Sequence, residues 1–359
     1  MRAIGRALAC MDVDVAGLQE VFWEGDRRLI ALAAAEGGLA FSHYFQSGLM
    51  GSGLFILSRY PIDEASFLRF RLNGRPQDLI RSDYYAGKGV GRARILTPAG
   101  PVDIYNAHFI APYLEFGPDR FAAHRVTQAL EAGRYMRATS GAVPAVLTCD
   151  LNCYPDDLTY QTLVGSGGLV ETYSAAHLED SEPPATDRSG YATIHPPARF
   201  DYVFARSGTA DALKVAGSRF VFGGVPQPNP DGVRGYSDHY GVLTEFEIAP
   251  AAEALAVEAT VPAAPAEPAL LSSIGEFLGL GIHRNRRHRR KASFVAAAAS
   301  VTSAALLGPR RPRPTGSGGR ALVAALLAGL LVAGGVNLST AARLNTETNT
   351  LATLLGEDL

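Results

Sequence analysis

The stretch AVLTCDLN, residues 145–152, is an apolar run that stops abruptly at Asp150 and Asn152. A short apolar run that is followed by polar turn residues predicts a buried strand. Because residues i and i+2 of an extended chain face the same way, the acid and the amide would share one face at the strand tip. Such a pair can hold a water and a phosphoryl oxygen, and a turn cap is the competing role.

Similar apolar runs recur on both sides of this stretch, up to about residue 248. They predict strands at Val13–Gln19, Gly53–Leu57, Val102–His108, Ala145–Cys149, Asp201–Ala205 and Gly241–Ile248. Apolar residues at helical spacing predict a helix over Phe121–Arg137. Because helices and strands are interleaved in this way, the sequence predicts one catalytic domain of the α/β class over residues 1–248.

Composition and charge narrow the class of protein. The chain has 359 residues, with 33 basic and 35 acidic side chains, so its charge gives no global reason to bind nucleic acid. Its three cysteines, Cys10, Cys149 and Cys153, are too few and too unpatterned for a disulfide framework or a zinc site. A reduced, cytosolic setting is therefore the expectation for the catalytic domain.

Four segments of different composition follow the predicted domain. They are a linker rich in Ala, Pro and Glu, an apolar and basic juxtamembrane segment, a membrane hairpin and an amphipathic tail, at residues 249–268, 269–291, 292–338 and 339–359. The basic residues between Arg284 and Lys291 would bind anionic lipids. Ala292–Gly308 and Ala321–Val336 predict a membrane anchor of one or two helices, the first of which could also be interfacial. Such short spans favour the endoplasmic reticulum or another endomembrane.

Several polar side chains stand at the ends of predicted strands. They are Glu20, His108, Asp150 with Asn152, Asp201, and the adjacent Asp238 and His239. Each alone has an ordinary structural explanation, such as a solvated carboxylate, a hydrogen-bonded imidazole or a turn cap. Together they supply a hard-metal ligand, groups that bind phosphate, an acid that positions water and a general base. These are the parts of metal-assisted phosphodiester hydrolysis.

In this order, the motifs resemble the endonuclease/exonuclease/phosphatase superfamily and, within it, the neutral sphingomyelinase branch. The closer likeness is carried by YFQSGLMGSGLF (44–55), LSRYPI (57–62), LNG (72–74), DYYAGKGVG (83–91), DRFAAHRVTQ (119–128) and DLNCYPDDL (150–158). The resemblance implies a four-layer α/β sandwich of two mixed sheets flanked by helices. It also implies an Mg²⁺-dependent phosphodiesterase that hydrolyses sphingomyelin or inositol phosphoceramide to ceramide and a phosphorylated headgroup.

The resemblance assigns the metal and the base to four residues. Glu20 would ligate Mg²⁺, and Asp238 would lie near the water shell of the metal. His239 would take a proton from the attacking water, and Asp201 would fix its tautomer. These roles follow from the match to the family motifs, residue by residue.

The remaining site residues would bind the phosphate and the water. His108 and Asn152 would donate hydrogen bonds to the phosphoryl oxygens, and Asp150 would position the nucleophilic water. Lys88, which pairs with Asp83 in the family as a switch that reshapes the site, would contact the substrate. All of these groups lie within residues 1–248, and the expected substrate is a membrane sphingolipid.

The sequence also departs from the family pattern. Family members begin with a strand that ends in an Asn, usually followed closely by Trp and Gly, and this Asn shares the metal with the glutamate. Met1–Cys10 instead resembles the end of the first helix, so the expectation is that this strand is missing. Two other functions stay open: a nuclease of the same superfamily and a catalytically silent, membrane-tethered homologue. The anchor argues against nucleic acid as a partner.

Overall fold

The computed structural model describes residues 1–75, 83–113, 119–177, 199–209, 211–223, 235–250, 267–307, 336, 338–350 and 352–353. The chain forms two compact units. The first consists of Met1–Gly74 and Ile80–Leu270, and the second of Arg75–Leu79 and Leu271–Leu359. The first unit contains all of the predicted site residues.

The first unit alternates strands and helices, as the sequence predicts. Its strands are β1 (Val15–Leu18), β2 (Phe41–Tyr44), β3 (Phe55–Ser58), β4 (Ile62–Arg69), β5 (Gly89–Thr97), β6 (Gly100–His108), β7 (Ala145–Asp150), β8 (Val170–Glu171), β9 (Asp201–Arg206), β10 (Asp211–Val221) and β11 (Gly241–Pro250). Its helices are α1 (Arg2–Cys10), α2 (Glu24–Ala35), α3 (Asp83–Ala86), α4 (Ala122–Ser140), α5 (Leu158–Gly167) and α6 (Thr172–Ala176). Each predicted strand overlaps an observed one, and α4 confirms the predicted helix.

The strands form three sheets in the described residues. The largest has the order β4-β5-β6-β7-β9-β8 and is mixed, because β6 and β7 are parallel while the other neighbours are antiparallel. The sequence predicts two mixed sheets, and in the described residues one of the sheets is mixed. The other strands form a three-stranded sheet, β1-β3-β2, and a separate pair, β10-β11, and both are antiparallel.

Apolar side chains pack the layers of this unit together. On one face of the mixed sheet, Tyr105 and Leu147 pack against α4 and α5 in one core cluster. On the other face, Ile104 and Val146 pack against residues of β3 and β10. Because side chains alternate along a strand, neighbouring residues of β6 serve the two different cores. A third cluster joins α1 and α2 to the three-stranded sheet.

Strand register brings three predicted site residues together at the ends of neighbouring strands in the mixed sheet. His108 pairs with Asp150 across the parallel strands β6 and β7. Asp150 in turn pairs with Asp201 across the antiparallel strands β7 and β9. Counting by twos from Ile104 and Val146, these side chains belong to the face that packs against the smaller sheets. The site therefore lies between the sheets, at one end of the core.

The approach of β1 to β7 depends on Gly17. A Cβ atom added at Gly17 would lie 2.0 Å from Oγ1 of Thr148. We expect Gly17→Ala to lower the free energy of unfolding by about 1–3 kcal/mol, as overpacked cores do. Gly25→Ala is the matched control, because nothing lies within 4 Å of that position. Equal melting temperatures for the two variants in thermal denaturation would contradict the prediction.

A long helix of 41 residues, α7 (Glu267–Leu307), begins at the end of the first unit and lies mostly in the second. The basic run Arg284–Lys291 lies within this helix rather than between separate segments. In the described residues, no helix has the length and apolar character to cross a bilayer. Of the predicted segment Ala321–Val336, residues 321–335 lie outside the described residues. Asn285 donates a hydrogen bond of 3.2 Å to the buried carboxylate of Glu347, which joins α7 to the helical residues 338–350.

Candidate active site

An aspartate–histidine pair occupies the start of β9 and the segment before β11. Nδ1 of His239 lies 2.7 Å from Oδ2 of Asp201. Because an ionised carboxylate only accepts hydrogen bonds, Nδ1 carries the proton and donates it. This bond fixes the tautomer of the imidazole and leaves Nε2 as the nitrogen that can take a proton. The predicted pairing of these two residues is therefore present in the structure.

The surrounding carboxylates control the charge of His239. Burial lowers its pKa, but the hydrogen bond and the charge of Asp201, together with the charges of Asp150 and Asp238, outweigh burial and raise the pKa to about 10. With that pKa the imidazole is protonated at neutral pH. Before His239 can act as a base, some of the negative charge around it must be offset.

A second set of contacts surrounds Asp150. Its Oδ2 lies 3.3 Å from Nε2 of His108, and Oε1 of Glu20 lies 3.9 Å from the same nitrogen. Burial raises the pKa of Asp150, but the close contact with His108 and the charges of the nearby basic groups hold it below its usual range. Asp150 is therefore ionised at neutral pH and can accept a hydrogen bond from a water.

Asn152 lies next to this acid, as the sequence predicts. Its backbone N–H donates to Oδ1 of Asp150 at 3.1 Å, and its side-chain amide donates to the carbonyl oxygen of Phe109 at 3.0 Å. Asn152 has a φ of 52°, a left-handed conformation that asparagine tolerates better than most residues. The strand thus ends in a tight turn that holds the amide beside β6.

Lys88 is buried, with a relative exposure of 3%. Its ammonium group donates to Nε2 of His108 at 2.8 Å, to Oδ1 of Asp83 at 2.8 Å and to the carbonyl oxygen of Phe109 at 2.7 Å. An ammonium group has three protons, so these three partners use all of its donors. In this conformation Lys88 holds His108 in place, and the predicted contact with substrate stays a prediction.

The sequence interpretation gave no role to Gln19 and Asn106, which connect two sheets behind the site. The side-chain amide of Gln19 donates to Oδ1 of Asn106 at 2.7 Å. The amide of Asn106 donates to the carbonyl oxygens of Leu18 and Phe55, at 2.9 and 3.3 Å. The signal in the sequence is an amide in the middle of an apolar strand, since burying such a group without partners is costly. These bonds hold β1, and with it Glu20, against β6.

One cavity of about 450 Å³ contains most of the predicted metal and base residues. Its wall includes Glu20, Asp150, Asp201, Asp238 and His239. Within this set, ligand atoms of Asp150, Asp201 and His239 all lie within 4.8 Å of one another. The donors are mainly carboxylate oxygens, which suit a hard divalent cation.

A cation in this cavity is expected to lower the pKa of His239. Without the cation, the pKa of His239 is about 10, above the ordinary value of 6.5, so protonation of the imidazole stabilises the folded state. This stabilisation is complete below about pH 6.5 and is lost as the pH rises through 10. NMR titration of the imidazole, assigned with His239→Gln, measures the pKa with and without saturating Mg²⁺. A titration curve that Mg²⁺ leaves unchanged would contradict the expectation.

Two curated proteins are similar to this chain, one over about two thirds of its length and the other over slightly more than half. A Drosophila melanogaster protein, provisionally named a neutral sphingomyelinase, is 32% identical over 255 residues, which are 68% of this chain and 55% of that protein. An inositol phosphosphingolipids phospholipase C of Schizosaccharomyces pombe is 32% identical over 206 residues, which are 56% of this chain and 44% of that protein. The chain spans about half the length of these relatives.

A solved structure shares the fold. The beta toxin of Staphylococcus aureus superposes with a TM-score of 0.54 at 16% identity, covering 69% of this chain and 93% of that chain. At this identity the likeness concerns the fold alone.

Acids, amides and imidazoles lie together at one end of an α/β core, an arrangement typical of enzyme active sites. A family profile described as Endonuclease/Exonuclease/phosphatase family matches residues 1–239. The chain belongs to the endonuclease/exonuclease/phosphatase family, which confirms the resemblance found in its sequence.

Proposed function

We propose that this chain is an Mg²⁺-dependent phosphodiesterase of the phospholipase C type. Its substrate would be sphingomyelin or inositol phosphoceramide, and its products ceramide and a phosphorylated headgroup. The observation that carries the proposal is the Asp201–His239 pair, which shares a cavity wall with Asp150 and Glu20. The names of the curated relatives, a neutral sphingomyelinase and an inositol phosphosphingolipids phospholipase C, support the substrate class.

Glu20 and Asp238 are the residues that fit Mg²⁺ best. Both line the cavity and both are exposed to solvent, as a cation that keeps several waters requires. The alternative set of Asp150, Asp201 and His239 fits less well, because Asp201 and His239 already satisfy each other at 2.7 Å. When bound, Mg²⁺ would polarise a phosphate oxygen and stabilise charge on the leaving alkoxide.

The chain itself would supply the proton transfer. Nε2 of His239 takes a proton from the attacking water, while Asp201 holds the opposite side of the ring and stabilises the imidazolium that forms. Asp150, ionised and adjacent in the same cavity, accepts a hydrogen bond from that water and orients it. The hydrogen bond between Asp201 and His239 supports this division of roles, because it occupies Asp201 and leaves Asp150 to bind the water.

His108 and Asn152 would bind the phosphoryl oxygens. Since Lys88 donates to Nε2 of His108, the proton of the neutral ring lies on Nδ1. This buried Nδ1 has no hydrogen-bond partner among the described residues, and it is the donor that we propose for a phosphoryl oxygen. The side-chain amide of Asn152 uses one N–H on Phe109 and retains a second. Such donors, fixed before the reaction, stabilise charge that develops on phosphate.

The test is release of water-soluble phosphorylated headgroup from mixed micelles. Sphingomyelin, inositol phosphoceramide and lysophosphatidylcholine are offered separately, with Mg²⁺ or with a chelator. We expect release from a sphingolipid in Mg²⁺ alone. Cleavage of single-stranded DNA with no release from any lipid would instead assign the nuclease function. Folded protein that is silent on every substrate would indicate a catalytically silent homologue.

We also propose that the C-terminal unit places the chain on a membrane, with the catalytic unit on the cytosolic side of the endoplasmic reticulum or another endomembrane. Arg286, Arg287 and Lys291 are exposed on α7, which supports binding to anionic lipids. The apolar composition of Ala321–Val336 supports an anchor. Fractionation of membranes after an alkaline carbonate wash would test this, since an integral anchor resists extraction.

A further inference from the structure

Three large apolar side chains are exposed beside the catalytic edge. The relative exposures are 69% for Trp23, 86% for Leu49 and 38% for Met50. Trp23 follows Glu20 by three residues, and Leu49 and Met50 lie in the loop between β2 and β3. Single exposed apolar residues are normal, but a group of them next to a site indicates an interaction surface.

Hydrogen bonds hold the two segments beside each other and beside the site. The N–H of Val21 donates to the carbonyl oxygen of Gly53 at 2.9 Å, which joins the turn after Glu20 to the end of the β2–β3 loop. The N–H groups of Leu49 and Met50 donate to the carbonyl oxygen of Tyr85, at 2.8 and 3.2 Å. The backbone of the loop is thus fastened on both sides.

The second attachment leads back to the phosphate-binding groups. Tyr85 belongs to α3, which also carries Asp83, the partner of Lys88. Lys88 in turn donates to His108. The β2–β3 loop therefore lies between the turn that carries Glu20 and the helix that supports His108. These bonds connect the loop to the segment of the metal-binding carboxylate and, by way of Asp83 and Lys88, to His108.

We propose that Trp23, Leu49 and Met50 form an apolar rim that inserts into the surface of a phosphocholine bilayer. The inference rests on the proposed function, because the apolar chains of a sphingolipid stay in the bilayer while its phosphodiester enters the site. The surface around the site must then lie against lipid. Exposed tryptophan and long aliphatic side chains are typical of a membrane interface.

The charge around the rim favours phosphocholine lipids over anionic ones. Residues 20–28 contain three carboxylates, Glu20, Glu24 and Asp26, against Arg27 and Arg28. Glu20 and Glu24 are exposed. The guanidinium of Arg27 is engaged with the ring of Tyr44, 3.7 Å from its centroid. With no net positive charge, the rim lacks the cationic attraction that binding to anionic headgroups requires, and it suits a zwitterionic phosphocholine surface.

The experiment uses the single tryptophan of the chain as its probe. Emission of Trp23 in the full-length chain is recorded while vesicles of phosphatidylcholine and sphingomyelin are added, with chelator present so that no lipid is hydrolysed. We expect a blue shift and quenching by lipids brominated on the acyl chain. Leu49→Ser with Met50→Ser is expected to weaken partitioning about tenfold, because buried apolar area is lost.

Leu96→Ser is the matched control. Leu96 is 44% exposed but lies at the β5–β6 turn, roughly 25 Å along β6 from His108, and its loss should leave partitioning unchanged. If the protein sediments with vesicles while Trp23 keeps the emission wavelength of a tryptophan in water, the proposal is overturned and binding is assigned to the C-terminal unit. A blue shift that depends on protein concentration without vesicles would overturn it in favour of a second copy. Insertion in the presence of chelator, with no headgroup release when Mg²⁺ replaces the chelator, would overturn the proposed function and leave the rim in place.

Discussion

Replacing His239 with alanine is expected to lower turnover by about two orders of magnitude or more, because removal of a general base forfeits a factor of this size. The side chain pairs with Asp201 at the edge of the cavity and contributes little to the apolar core, so the fold should survive. The measurement is the initial rate of headgroup release at saturating sphingolipid and Mg²⁺, alongside circular dichroism and the melting temperature.

Two further variants sharpen this test. Asp201→Asn keeps the shape of the pair but removes the charge that stabilises the imidazolium, so we expect a fall in kcat with KM little changed. His43→Ala is the control, since it removes a half-buried imidazole in β2, outside the acid cluster. A folded His239→Ala variant with near-normal turnover would refute the assignment of His239 as base.

The sequence predicts the individual strands well, because each carries its own apolar pattern. The pairing of those strands is a different matter. Nothing local to β7 indicates that Asp150 is paired with both His108 and Asp201, since register depends on neighbours that lie far away along the chain. The family resemblance, rather than periodicity, gathered these residues into one site before the structure did.

Buried polar residues are where interpretation of the sequence is weakest. The family resemblance paired Lys88 with Asp83 and made the lysine a substrate contact; the structure shows the pair with Asp83 and also buries the lysine against His108. Asn106 is fully buried and received no role at all. The partners that only the structure shows, His108 for Lys88 and Gln19 for Asn106, lie elsewhere along the chain, and a single sequence does not contain that information.

The second large effect concerns Lys88. We expect Lys88→Met to lower the free energy of unfolding by about 3–5 kcal/mol, because it leaves the buried carboxylate of Asp83 without its cation. The methionine keeps most of the side-chain volume, so a cavity contributes little. Burial raises the pKa of Asp83, but the charge and hydrogen bond of Lys88 and the hydrogen bond from Tyr113 hold that pKa below its usual range. Urea denaturation measures the loss.

The double variant Lys88→Met with Asp83→Asn separates the two explanations of Lys88. If Lys88 acts by neutralising Asp83 and holding His108, removing both charges restores part of the stability, and kcat stays low because Nε2 of His108 has lost its donor. Lys214→Met is the control: this lysine pairs with Glu247 at the surface, 3.2 Å apart, and its loss should change stability by less than about 0.5 kcal/mol. A Lys88→Met protein of normal stability with a raised KM would instead show that Lys88 binds the substrate directly.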